Sequence, residues 1–249
     1  MLIYGFKSPN IWAFFMTKIQ KCIMCYNIFI QEAYMSKEQN VINYYLLCNK
    51  LKDVIRMGWI SWGVKRERIE SIAEHIFGVQ MLAIAMKSEY KYDIDILKVI
   101  YMLAIHELGE IIIGDITPFE IGQKEKIKKE HEAVHKILKP LIDGKQIEKL
   151  FLEFDARETP EAKFAYQCDK LECDIQCKLY DQEGCVDLNH QEGNQIINNN
   201  LVKELLKTGC SWSNMWLEYG QIKKYYDTNF MKVSQYVKEN PINDFFQEN

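Results

Sequence analysis

The segment YMLAIHELGEIIIGDITPFE, residues 101–120, is apolar for its first five residues and then turns ionisable. His106, Glu107 and Glu110 come close together, and Asp115 follows five positions later. An imidazole and carboxylates in such a run can donate to a metal ion or carry a proton, and a buried carboxylate is costly unless paired or bound to metal. On a helix His106 and Glu110 stand four apart, and Glu107 and Glu110 three apart, so all three crowd one side of its end. Glu107 is turned from His106 by roughly 100°, so one ion can touch both only from between their directions.

Two further segments offer the same chemistry. In SIAEHIFGVQMLAIAM, Ile72, Ile76, Val79, Ala83 and Met86 repeat at the three-and-four spacing of a buried stripe. His75 lies in line with Ile72, Val79 and Leu82, so its ring points inward. In AYQCDKLECDIQCKLY, Asp169, Glu172, Cys173 and Gln176 share one face. Alone, His75 reads as a core histidine and Asp169 as a surface acid. Three otherwise buried faces that each carry a metal-ligand type change that reading.

Helices must position these residues. The chain has 249 residues, enough for a sizeable core, and its 12 glycines and 5 prolines are too few for a turn-rich β architecture. Residues 41–57 read as a first helix, and IDILKVIYMLAIHELGEIII as a central one stopped by Gly114, with Pro118 in the turn. A charged helix is expected over 123–142, another from Pro160 to about Tyr180, a loop at EGCVDLNHQEGN, and further helices over 199–236. The expected fold is all-α, a single helical bundle over residues 35–249. Residues 1–34 have no acidic residue before Glu32 and read as an upstream extension, consistent with a misassigned start at Met1 rather than Met35. Lys7, Lys18 and Lys21 keep its apolar runs short of the ~20 residues that a membrane span needs. Eight cysteines in so long a chain are no disulfide scaffold and point to reduced thiols in the cytoplasm. A net charge of −4 gives no reason to expect a nucleic-acid polymer as partner.

The order ESIAEH, then AIHELGEIIIGDITP, then CDKLE resembles the HD-domain phosphohydrolases, in the branch of 5′-deoxynucleotidases and HD domain-containing protein 2, over about residues 41–185. The resemblance implies one divalent metal held by His75, His106, Glu107 and Asp169, with Glu110 and Asp115 at positions implicated in catalysis. Arg56, in IRMGW, matches a phosphate-contacting position. Glu107 stands where the family has Asp, which extends the carboxylate by about 1.5 Å. The activity implied is hydrolysis of a phosphomonoester, with nucleoside or deoxynucleoside 5′-monophosphates as substrates. Mn, Co, Fe, Mg or Zn would each suit two nitrogen and two oxygen ligands. The alternative is a catalytically weak relative that binds a nucleotide or metal as a sensor; Glu107 favours it, while Glu110, Asp115 and Arg56 favour the enzyme.

Other motifs lead elsewhere. Residues 131–135, HEAVH, match the H-E-x-x-H of zinc proteases, but His131 and His135 flank the stripe Val134, Ile137, Leu138 and Leu141 on a charged helix. Cys168, Cys173, Cys177 and Cys185 lack the spacing of a zinc site and read as small buried hydrophobes. Cys22 and Cys25 lie within the extension. Trp212, Trp216 and Tyr219 suit core or a homodimer surface rather than base stacking. The lysines of 124–129 alternate with acids and read as a solvated face.

Overall fold

The computed structural model describes residues 36–116, 121–225 and 227–242. The chain divides into two compact units, Met1–Asn43 and Tyr44–Asn249. Of the first, the described part is the opening of helix α1 (Lys37–Asn49). The expected division after residue 34, the pair Cys22 and Cys25, and Pro118 lie outside the described residues. All elements after α1 belong to the second unit.

Among the described residues the secondary structure is helical throughout, with a single antiparallel bridge between Ile55 and Ser71. No described helix is long and apolar enough to cross a membrane. The first helix does not run to residue 57 as its apolar pattern suggests. It ends at Asn49, and after a 3₁₀ turn at Lys50–Lys52 the short helix α2 (Met57–Ser61) begins. Between them, Arg56 N–H donates to the Glu70 carbonyl and Ile72 N–H to that of Val54. Backbone pairing across the bridge therefore sets where Arg56 stands.

Helix α3 (Ile72–Tyr90) starts at a capping box: Ser71 Oγ accepts from Glu74 N–H, and the Glu74 carboxylate accepts from Ser71 N–H. Its inward face is Ile72, His75, Val79, Ala83 and Met86, so the histidine occupies a core position. Helix α4 (Ile96–Ile105) is capped by Asp95 and buries Val99, Met102, Leu103 and Ile105. It stops one residue before the ionisable cluster. The amides of Leu108, Glu110 and Ile111 each bond to the carbonyl three residues back, a tighter 3₁₀-type winding that leads into the one-turn helix α5 (Glu110–Ile113). Gly114, at φ +75°, then ends it, a backbone state that L side chains resist.

Helix α6 (Gln123–Leu138) is shorter than the expected 123–142, and the sequence reading missed α7 (Gly144–Ala156) altogether. Long helix α8 (Pro160–Gln182), with Thr159 as its cap and Pro160 in its first turn, packs against α3, α4 and α7 and against the later helices α10 (Trp212–Lys223) and α11 (Thr228–Glu239). Helix α9 (Asn200–Lys207) packs on α10. Val79, Met102, Leu103, Leu171 and Phe230 form the core between these helices. Trp212 is buried in a second cluster with Trp59, Trp62 and Tyr180, which Trp216 and Tyr219 flank, so these aromatics are core. Each fully buried large apolar side chain of this kind contributes roughly 1.5–3 kcal/mol.

Candidate metal centre and active site

Three elements converge at one point. From α3 comes His75, from the turn after α4 come His106 and Glu107, and from the middle of α8 comes Asp169. One donor atom from each lies within 4.8 Å of all the others. His75 Nε2 is 3.2 Å from Asp169 Oδ1 and 3.8 Å from Glu107 Oε1, while His106 Nε2 is 3.5 Å from Glu107 Oε1 and 4.0 Å from Asp169 Oδ1. Ligands at roughly 2.1 Å from an ion stand about 3 Å apart when adjacent and about 4.2 Å apart when opposite, so the spacing suits a common ion.

The hydrogen bonding of the same atoms supports this. His75 Nε2, His106 Nε2 and Asp169 Oδ1 are buried with no hydrogen-bond partner. Orphaned polar atoms are costly, and here they gather in one place. Their other atoms are all engaged. His75 Nδ1 meets Glu172 Oε2 at 2.6 Å and His106 Nδ1 meets the Leu103 carbonyl at 2.7 Å, so in the neutral imidazoles the proton sits on Nδ1 and both Nε2 lone pairs are free. Asp169 Oδ2 pairs with Lys170 Nζ at 2.7 Å, leaving Oδ1 for the cluster. The donor set fits a divalent metal.

Charge follows from this packing. Burial and Arg56 both push the His75 pKa down, yet Glu172 and Asp169 outweigh them and lift it to about 9. Burial holds His106 below its ordinary value. For Asp169, burial acts upward, but Lys170 and the two histidines bring it well below the usual carboxylate range. Glu107 is also lowered: burial opposes ionisation, and His106 and Arg56 overcome it. Glu110 goes the other way. Burial first, then Glu107 and Asp115, raise its carboxyl well above the ordinary range, and its Oε2 is another buried atom without a partner. Two carboxylates three residues apart are thus driven to opposite protonation preferences.

Arg56 lies beside the cluster, its Nη1 3.4 Å from Glu107 Oε1 and its Nη2 donating to Cys173 Sγ at 2.8 Å. Asp115 Oδ2 accepts from Met57 N–H at 2.7 Å, which ties the loop after α5 to the residue following Arg56. The structure therefore brings His75, His106, Glu107 and Asp169 to one point, with Arg56 and Glu110 beside them and Asp115 at the edge.

Residues 48–209 match the HD domain family. The chain belongs to it. The 5′-deoxynucleotidase HDDC2 of Dictyostelium discoideum is 32% identical over 165 residues, a stretch covering 63% of this chain and 83% of that protein. The 5′-deoxynucleotidase hdd1 of Schizosaccharomyces pombe is 31% identical over 155 residues, covering 59% of this chain and 76% of its own. Among solved structures, a Pyrococcus horikoshii OT3 protein superposes with a TM-score of 0.54 at 25% identity, over 80% of this chain and 98% of that one.

Within this HD domain the sequence reading missed three contributors. Glu172 was placed on the right face, but its partner His75 lies 97 positions away and could not be paired with it. Lys170 sits inside the CDKLE element without a role assigned to it. Lys126 belongs to the charged run 124–129 expected to face solvent; instead its Nζ turns in to 3.9 Å from Glu110 Oε1 and 3.4 Å from Glu130 Oε1. Gly109 allows this approach, because a β-carbon there would stand 3.2 Å from Glu130 Cα and push α6 away. Lys128 and Lys129 do lie exposed, paired with acids four residues away. The HEAVH histidines are not gathered with the cluster: His131 meets Asp155 at 2.8 Å and His135 meets Glu148 at 3.0 Å, both on α7. Cys168, Cys173, Cys177 and Cys185 are buried free thiols.

Proposed function

We propose that this HD-domain protein is a metal-dependent phosphohydrolase that cleaves nucleoside 5′-monophosphates, with the deoxynucleotides as its preferred series. The observation that carries the reading is the meeting of unpartnered Nε2 and carboxylate atoms from α3, the post-α4 turn and α8. Relatives named as 5′-deoxynucleotidases, about 30% identical over most of their length, support the substrate class.

His75, His106, Glu107 and Asp169 would hold the ion, which supplies Lewis acidity toward a phosphoryl oxygen and the attacking water. Arg56, anchored on Glu107 and Cys173, brings a permanent cation to the edge of the cluster, where it offsets phosphate charge. Lys126 adds a second cation on the Glu110 side. Glu110, whose surroundings favour its protonated form, would give a proton to the leaving oxygen. Asp115 holds the Arg56–Met57 backbone through the Met57 amide and so keeps the phosphate-facing cation in register with Glu110. The free thiols fit work in the reducing cytoplasm.

The test is phosphate release from the deoxy- and ribonucleoside 5′-monophosphates of each base, with Mn, Co, Fe, Mg and Zn supplied separately to metal-stripped protein. Release that requires a metal and is faster for the deoxy series is expected. Metal binding without hydrolysis of any of these would overturn the reading in favour of a sensor.

A further inference from the structure

His75 and His106 aim Nε2 at the same point, but different partners hold the two rings. His106 leans on its own backbone, the Leu103 carbonyl. His75 leans on a side chain from another helix, Glu172 of α8, through a 2.6 Å bond at Nδ1. Both residues are buried. Neutral imidazole has two tautomers, and only the Nδ1–H form leaves the Nε2 lone pair for a ligand. An acceptor at Nδ1 selects that form and fixes the plane of the ring.

Glu172 reaches His75 through a narrow space. Gly78 lies three residues after His75 on α3, and a β-carbon there would stand 2.7 Å from Glu172 Oε1, a distance that real β-carbons avoid. The crowded atoms, Oε1 and at 3.3 Å Cγ, all belong to the Glu172 side chain and none to backbone. A cavity of about 300 Å³, lined in part by Gly78, Glu172 and Gln176, gives the carboxylate somewhere to go. A side chain at residue 78 would therefore swing the carboxylate aside and leave the two helices in place.

We infer that Glu172 is a positioning residue for the metal centre, holding His75 in its ligating tautomer, and that it does so only because residue 78 has no side chain. This rests on the metal-dependent reading of the cluster. Removing such an outer partner weakens metal binding by about 10- to 100-fold in comparable sites.

The experiment is titration of the metal-stripped full chain with Mn²⁺ by calorimetry, alongside the thermal midpoint of the stripped protein. Glu172→Leu and Gly78→Ala should each weaken binding by about 10-fold or more. Glu172→Gln, which keeps an acceptor oxygen at the same reach, should recover most of that loss. The midpoint of Gly78→Ala should stay close to wild type, so that its weakened binding reports the displaced carboxylate; it also covers the case in which Glu172→Leu does not fold. In ¹H–¹⁵N correlation spectra of zinc-loaded protein, the His75 ring proton should sit on Nδ1 in the wild type. Wild-type affinity in Gly78→Ala would overturn the inference, and so would equal losses in the Gln and Leu variants that follow their thermal midpoints. Absence of Mn²⁺ binding by the wild type would instead sink the metal reading itself.

Discussion

Shortening Glu107 by one methylene is the most informative change at this centre. Glu107→Asp retracts the carboxylate by about 1.5 Å, and Oε1 now stands 3.5 Å from His106 Nε2 and 3.8 Å from His75 Nε2. With the backbone fixed, those separations grow toward about 5 Å, beyond what two ligands of one ion tolerate. The turn at 106–109 has little freedom to follow, because Gly109 is pressed against Glu130 and His106 is bonded to Leu103. The carboxylate would also withdraw from Arg56, now 3.4 Å away. A loss of about 10-fold or more in metal affinity is expected, equivalent to about 1.4 kcal/mol. Glu107→Gln keeps the length and removes the charge, and should lower both binding and hydrolysis. Calorimetric Mn²⁺ titration and release of phosphate from deoxynucleoside monophosphates read the two effects separately. Tighter binding or faster turnover in Glu107→Asp would show that the surroundings are not fitted to Glu, and wild-type behaviour in both variants would show that Glu107 is no ligand.

Metal affinity should rise with pH up to about 9, because an incoming ion must displace the proton that the lifted pKa keeps on His75; equal affinities at pH 7 and pH 9 would refute this. The same lift, from an ordinary 6.5, stabilises the metal-free fold fully below pH 6.5, and that contribution fades as pH climbs through 9. Replacing His131 and His135 together by Ala should leave metal content and hydrolysis unchanged and cost at most about 1 kcal/mol in thermal or urea unfolding, since their partners Asp155 and Glu148 form part-exposed pairs; loss of a metal would instead restore the protease-like reading. Gly144→Ala should lower stability by about 2 kcal/mol or more in a urea melt, because the new β-carbon would land on the Leu138 carbonyl at the tight α6–α7 connection.

The sequence made the all-α fold and the ligating faces legible because His75 and Asp169 lie on helices whose neighbours keep a clear three-and-four period. The region around His106 was less readable. Apolar residues resume at 111–113 after the ionisable stretch, so periodicity extends one helix across a break that a side chain-to-backbone bond and i+3 winding impose. Helix α7 escapes for a related reason: GKQIEKLFLEFDA has an amphipathic face, but the expected charged helix over 123–142 runs through Pro140 and past the true end at Leu138, which leaves no start visible at Gly144. The inward turn of Lys126 depends on how closely α6 passes Gly109, which no pattern within α6 itself records. The Glu172–His75 pair was hidden by sequence distance alone.

The proposed hydrolysis requires one ion held by four side chains from three elements. The most direct measurement is metal content per chain, by elemental analysis after loading and gel filtration, for the wild type and for Asp169→Asn, with phosphate release assayed on the same samples. Asp169→Asn keeps the size of the side chain but removes the charge that Lys170, His75 and His106 hold ionised. About one ion per wild-type chain is expected from the His75, His106, Glu107 and Asp169 cluster, with the ion and the hydrolysis lost together in the variant. Full occupancy in Asp169→Asn, or undiminished hydrolysis by metal-free protein, would contradict the account.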